Sequence, residues 1–169
     1  SACDASLALA RDAIDAHLWV PSRASGSAPH GFYRAYTPPT PTQDGEGAVQ
    51  AASAEGEEAV MADALYAQVL SDSLGLGTLH RTDDMVRSHL DVVLKENDTP
   101  YGLLAMTGRY PYPGPDPLRH DADNSVWMMA NPNWATLSLW RGGDVASALD
   151  VANTTLSWWR DGLKDMWNV

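Results

Sequence analysis

Cysteine is nearly absent from this chain: Cys3 stands alone among 169 residues. One thiol closes no internal disulfide, so no covalent cross-link within the chain supports the fold, and the redox compartment stays open. Lysine is almost as scarce, with Lys95 and Lys164 against nine arginines. Acidic residues outnumber basic ones, for a net charge of −11. Such a chain lacks the Lys/Arg surplus that phosphates demand, which excludes nucleic acid as a partner. It equally disfavours an anionic membrane surface. No apolar run approaches the roughly 18 residues of a transmembrane helix, and no signal-peptide pattern is visible. The histidines at 17, 30, 80, 89 and 120 show no ligand spacing. No metal is therefore expected. A nucleophile elbow, a P-loop and a dinucleotide fingerprint are all missing, and no cofactor is implied.

The aromatic residues are skewed. Seven Trp and six Tyr accompany a single Phe. Trp and Tyr join a flat apolar face to a polar handle, which suits sugar-facing clefts, and they equally fill wide gaps between helices.

The length suits one domain, able to bury roughly 70% of its unfolded surface. Leu7, Ala10, Ile14 and Leu18 share one face of a helix that Pro21 ends. Residues 31–37, GFYRAYT, alternate as a short strand or hairpin arm. Residues 38–56 are rich in Pro, Gly and Ala and form a surface insertion. Glu57 to Gly77 reads as a helix. Its Met61, Leu65 and Val69 recur every fourth residue, and Gly75 and Gly77 supply a left-handed stop. Thr82 caps the next helix, with Val86, Leu90, Val93 and Leu94 as its buried stripe.

Residues 98–124 are irregular and hold five prolines, a length of loop that is usually functional or disordered. Asn131-Pro132 reads as a cap followed by a first-turn proline, with Trp134, Leu137 and Arg141 on one face. After Gly142-Gly143, residues Val145, Leu149, Ala152, Leu156, Trp159 and Leu163 make the cleanest helical stripe in the chain. The expected fold class is all-α, with five helices, a short β-hairpin and long loops.

Asp121, Asp123 and Ser125 begin like a calcium loop, but Val126 and Pro132 occupy the positions that need Gly and Glu. A sugar-hydroxyl contact and an Asp-rich helix entrance are the other readings. Asn97-Asp98-Thr99 and Asn153-Thr154-Thr155 are glycosylation sequons, Asn97 in an expected loop and Asn153 in an expected helix. They tilt the expected compartment toward the secretory route.

One segment is more specific. VMADALYAQVLSDSLGLG, residues 60–77, resembles the V-M-A/S-D-Q-x-x-G-Q-W…G-L-G helix of glycoside hydrolase family 116, which includes non-lysosomal glucosylceramidases and microbial β-glucosidases. Met61, Asp63, Gln68, Gly75, Leu76 and Gly77 match, while Ala64 and Ala67 depart. Flanking stretches follow the family's order: Leu18-Trp19 with GFYRAYT upstream, then TDDMVRSHLDVVLKEND, YGLLAMTG and DNSVWMMANPNWATLSLWRGG downstream. Ser125-Val126-Trp127 lacks the acidic residue of the family's E-V-W.

The resemblance implies that residues 1–169 form a single partial domain, a middle slice of an (α/α)6 barrel. It implies retaining glycoside hydrolysis whose catalytic carboxylates lie outside the region resembled, so no catalytic residue is carried onto this chain. The implied partners are other chains or segments completing the barrel, with carbohydrate as ligand. Asp63, Tyr66, Gln68, Tyr101 and Trp127 are the candidate substrate-binding residues. A buried hydrogen bond is the competing role for Asp63, and a catalytically inactive structural or glycan-associated protein is the competing role for the chain.

Overall fold

The computed structural model describes residues 2–21, 31–34, 60–80, 82–107 and 125–163. The described residues are mostly helical, with small antiparallel ribbons between the helices. The order is α1 (Ala2–Leu18), β1 (Trp19–Pro21), β2 (Gly31–Tyr33), β3 (Val60–Met61), α2 (Tyr66–Ser73), α3 (Asp83–Asn97), β4 (Asp98–Thr99), β5 (Gly102–Leu103), β6 (Met106–Thr107), α4 (Ala130–Trp140) and α5 (Val145–Ser157). A π-helical turn, Trp158–Leu163, continues α5. The insertion at 38–56 and the Asp121/Asp123 pair lie outside the described residues.

Helix α3 forms as its pattern dictates. Thr82 Oγ1 accepts the Met85 amide hydrogen at 3.2 Å, and Asp83 and Asp84 sit in the first turn, where the helix dipole favours anions. Val86, Leu90 and Val93 are buried at the centre of the core. Trp134 on α4 packs there too and donates its indole N–H to the Leu90 carbonyl at 3.1 Å. An aromatic with a polar edge is thereby buried without leaving a donor unmet.

The ribbons join in series. β1 pairs antiparallel with β2, Arg34 bridges to Val60, and β3 pairs with β6 in the register Val60↔Thr107 and Met61↔Met106. Beyond β3 the ladder widens to three segments: Ala62 N–H donates to Ala105 O at 2.9 Å, and Ala105 N–H donates to Ser125 O at 2.7 Å.

Two buried asparagines stand in for missing strands. Asn131 Oδ1 accepts from Leu103 N at 2.6 Å, while its Nδ2 donates to Leu103 O at 3.0 Å and Trp127 O at 2.9 Å. Asn97 Nδ2 donates to Val60 O at 3.1 Å and Leu104 O at 3.0 Å, and its Oδ1 accepts from Thr107 Oγ1 at 3.0 Å. Each amide supplies a donor and an acceptor where a short strand runs out of backbone partners.

Several expectations are corrected. The helix expected over 57–77 is only Tyr66–Ser73, because Val60 and Met61 spend their backbone groups on β6. Its glycine stop holds: Gly75 has φ +67°. Asn131 is not a cap but lies inside the first turn of α4, its side chain fully buried. The apolar stripe of α5 is helical as expected, but of its members Ala152 packs against the core while the larger ones lie outside it. Val145, Leu149 and Leu156 are exposed, and Ala148, Val151 and Thr155 face the core instead. Asn97 is no loop residue. It ends α3 with an amide that is fully buried and donates twice, so the folded chain has no room for a glycan there. Asn153 is exposed on α5.

Candidate functional site

The turn from β3 into α2 carries the segment that resembles the hydrolase family. Ala62 is held by the ladder, and Tyr66 N–H closes the turn on Asp63 O at 2.9 Å. Asp63 therefore projects from a backbone fixed on both sides. Its carboxylate is half-buried, and Oδ1 is buried with no hydrogen-bond partner in the protein. Burial pushes this acid above the usual carboxylate range, against a smaller opposing pull from its own backbone. A desolvated carboxylate with a vacant acceptor either binds a donor from a ligand or holds its own proton.

The other candidates divide. Tyr66 is 40% exposed and opens a surface row with Leu70 and Leu74. Trp127 is half-buried against the core, one residue beyond Val126, which bridges Leu104 in the ladder. Tyr101 tips the β4–β5 turn and meets Trp158 edge-on, ring centroids 4.6 Å apart. Asp63 and Trp127 thus stem from segments joined through Leu104 and Ala105, whereas Tyr101 lies on the separate β4–β5 ribbon. Gln68 does not join them. It is fully buried, donates to Asp72 Oδ1 at 2.8 Å and Gly77 O at 3.3 Å, and accepts from Leu79 N at 2.7 Å. Ser71 Oγ adds a 2.6 Å bond to the same Gly77 carbonyl. These bonds stitch residues 77–79 onto α2. Asp72 in turn pairs with Arg141 at 2.8 Å, tying α2 to the end of α4.

A second polar cluster was invisible in the sequence spacing. Tyr33 donates its hydroxyl to Asp15 Oδ1 at 2.8 Å and its backbone N–H to His89 Nδ1 at 3.1 Å. Trp19, His80 and His89 surround its ring at centroid distances of 5.0, 4.7 and 5.8 Å. Since His89 Nδ1 accepts, its proton sits on Nε2, which faces the Met61 carbonyl without reaching hydrogen-bond geometry. Burial depresses this imidazole to a pKa of about 3, with His80 adding a smaller push in the same direction. His80 is itself lowered by burial, opposed by Asp15. The signal was a pair of histidines flanking α3's start, readable only once α3 is packed on β2. Among the described residues no group of three His, Cys, Asp or Glu could hold a metal ion.

No protein-family model matches the chain, and no curated protein matches it.

Proposed function

We propose that this chain is a segment or subunit of a retaining β-glucosidase or glucosylceramidase-like glycoside hydrolase. In this reading it forms wall of an (α/α)6 barrel, and other segments or chains bring the nucleophile and the proton donor. Asp63 carries the proposal. A carboxylate half-removed from water, with a vacant buried oxygen, on a turn anchored by three backbone segments, is costly unless something polar meets it. Sugar hydroxyls are the donors that the resemblance of residues 60–77 supplies. Trp127 would offer an apolar ring face to the same sugar.

The competing reading is a catalytically inactive scaffold. One observation favours it: the matching Gln68 is spent entirely on packing its own loop. Intact mass of everything in the native assembly, followed by a β-glucoside hydrolysis assay on that assembly, separates the two. A companion chain or longer parent chain with hydrolytic activity supports the enzyme. An assembly that turns over no β-glucoside leaves the scaffold.

A further inference from the structure

Strand β2 divides its backbone between two neighbours. Phe32 pairs with Val20 of β1, and Arg34 N–H donates to Leu18 O at 2.8 Å. The alternate amides point the other way, as in any strand, and meet side chains of α3. Gly31 N–H donates to Ser88 Oγ at 2.7 Å, and that hydroxyl donates back to Gly31 O at 2.8 Å. Tyr33 N–H donates to His89 Nδ1 at 3.1 Å. Two consecutive residues of α3 thus serve as the next strand for β2, and one of them titrates. An imidazolium has no acceptor nitrogen, so a proton on His89 Nδ1 and the Tyr33 bond exclude each other. His89 is fully buried, so water cannot hydrate the charge where it forms.

The groups around His89 oppose that charge. His80, from the α2–α3 connection, disfavours a second cation beside it, and the Met61 carbonyl of β3 pulls more weakly the other way. Beyond them stand Asp15 and Arg11 of α1 and Arg141 at the end of α4. Asp15 favours a charge on His80, and the two arginines oppose it. Tyr33 of β2 completes the cluster, its ring beside His80 and its hydroxyl on Asp15. The rest of the core is tied by groups of another kind. The amides of Asn97 and Asn131 and the indole of Trp134 join α3, the ribbons and α4. None of these gains or loses a proton between about pH 3 and 7.

We propose that His89 is an acid-operated latch. A proton on it frees the Tyr33 amide, and β2 leaves α3 together with β1 and α1, while α3, the β3–β6 ribbon and α4 stay folded. Proteins open in contiguous units of unequal stability, and here the titrating contact lies on the boundary of one such unit. Helix α1 and β1 follow β2 because the β1–β2 pairing, the Arg34–Leu18 bond and the Tyr33–Asp15 bond hold them to it, and no histidine takes part in those bonds. Opening uncovers the face of α3 that carries Met85, Ser88 and His89. The latch does not rest on the hydrolase reading.

Amide hydrogen exchange of the full chain, followed by NMR between about pH 7 and 4, reads the opening of each bond. Gly31 and Tyr33 should open together, and more readily than Ala62 and Ala105 in the ladder, at every pH. In His89→Gln the amide oxygen still accepts from Tyr33 but does not titrate. The ratio of wild-type to variant opening constants at Tyr33 should be level above about pH 6.5 and rise about tenfold per pH unit below it. Should the variant fail to fold, the wild type decides alone, through a Tyr33 opening constant that climbs with acid while Ala62 and Ala105 stay better protected. Opening constants at Gly31 and Tyr33 that equal those of Ala62 and Ala105 at every pH mean that the chain opens only as a whole, and overturn the latch. A wild-type-to-variant ratio that stays level down to about pH 4 overturns it too.

Discussion

Acid should unfasten this protein at His89. The imidazole is 1% exposed and must be neutral to accept the Tyr33 N–H. Its pKa is about 3 in the folded chain, against about 6.5 when unfolded. A depressed pKa means that the unfolded chain binds the extra proton first. The stability is complete above pH 6.5 and is lost progressively as pH falls toward 3. The slope is about 1.4 kcal/mol per pH unit, so about 2.7 kcal/mol is gone at pH 4.5. That is a large share of the 5–15 kcal/mol typical of a domain. His80 is shifted the same way and adds to the loss.

The assay is urea unfolding at a series of pH values for the wild type and for His89→Gln, whose amide oxygen can still accept from Tyr33. Subtraction cancels the other titrating groups. The difference should be nearly flat above pH 6.5 and then run against the wild type by about 1.4 kcal/mol per unit. A difference that stays flat down to pH 4.5 would refute the reasoning.

Three further outcomes follow from the same geometry. Gly102 has φ +116°, and a Cβ there would press into Thr155 Oγ1 and lie 2.8 Å from Asn131 Oδ1, so Gly102→Ala should cost about 2–4 kcal/mol. Calorimetry should then record a fall in Tm of roughly 5–15 °C. Asn131→Ala strips partners from Leu103 N, Leu103 O and Trp127 O at once and should cost about 2–4 kcal/mol in denaturant melts, while Asn153→Ala on the exposed face should stay within about 0.5 kcal/mol. Asp63 has a raised pKa, so the fold favours its protonated acid, and stability is lost as pH rises from 3.8 through its folded value. Asp63→Asn should therefore be neutral or slightly stabilising at pH 7, by no more than about 1 kcal/mol once the screening of a half-exposed group is allowed for, as read from the urea midpoint.

Much of the fold was legible because local signals and packing agreed. Thr82, Asp83 and the Val86–Leu90–Val93 stripe read as a capped helix and pack as one. Leu7 and Ala10 stay exposed while Ile14 and Leu18, nearer the end of α1, pack against the core. On α5 the larger members of the longest apolar stripe pointed outward, since apolar periodicity marks a face without saying which neighbour covers it. Asn97 and Asn131 read as a loop sequon and a cap. Their real roles as surrogate backbone arise only when distant segments meet, and nothing local encodes that. Gln68 illustrates the same limit at the site. Its place in the resembling segment marked it for substrate, yet its amide serves a loop nine to eleven residues away. Asp63 is different: it keeps an unmet oxygen after folding.

The most direct measurement is the kinetics of β-glucoside hydrolysis by the native assembly, wild type against Asp63→Asn, with urea midpoints confirming that both are folded. If Asp63 receives sugar hydroxyls, kcat/KM should fall at least about tenfold while the midpoint holds. An assembly inert toward β-glucosides, or an Asp63→Asn variant with unchanged kcat/KM, would contradict the hydrolase account.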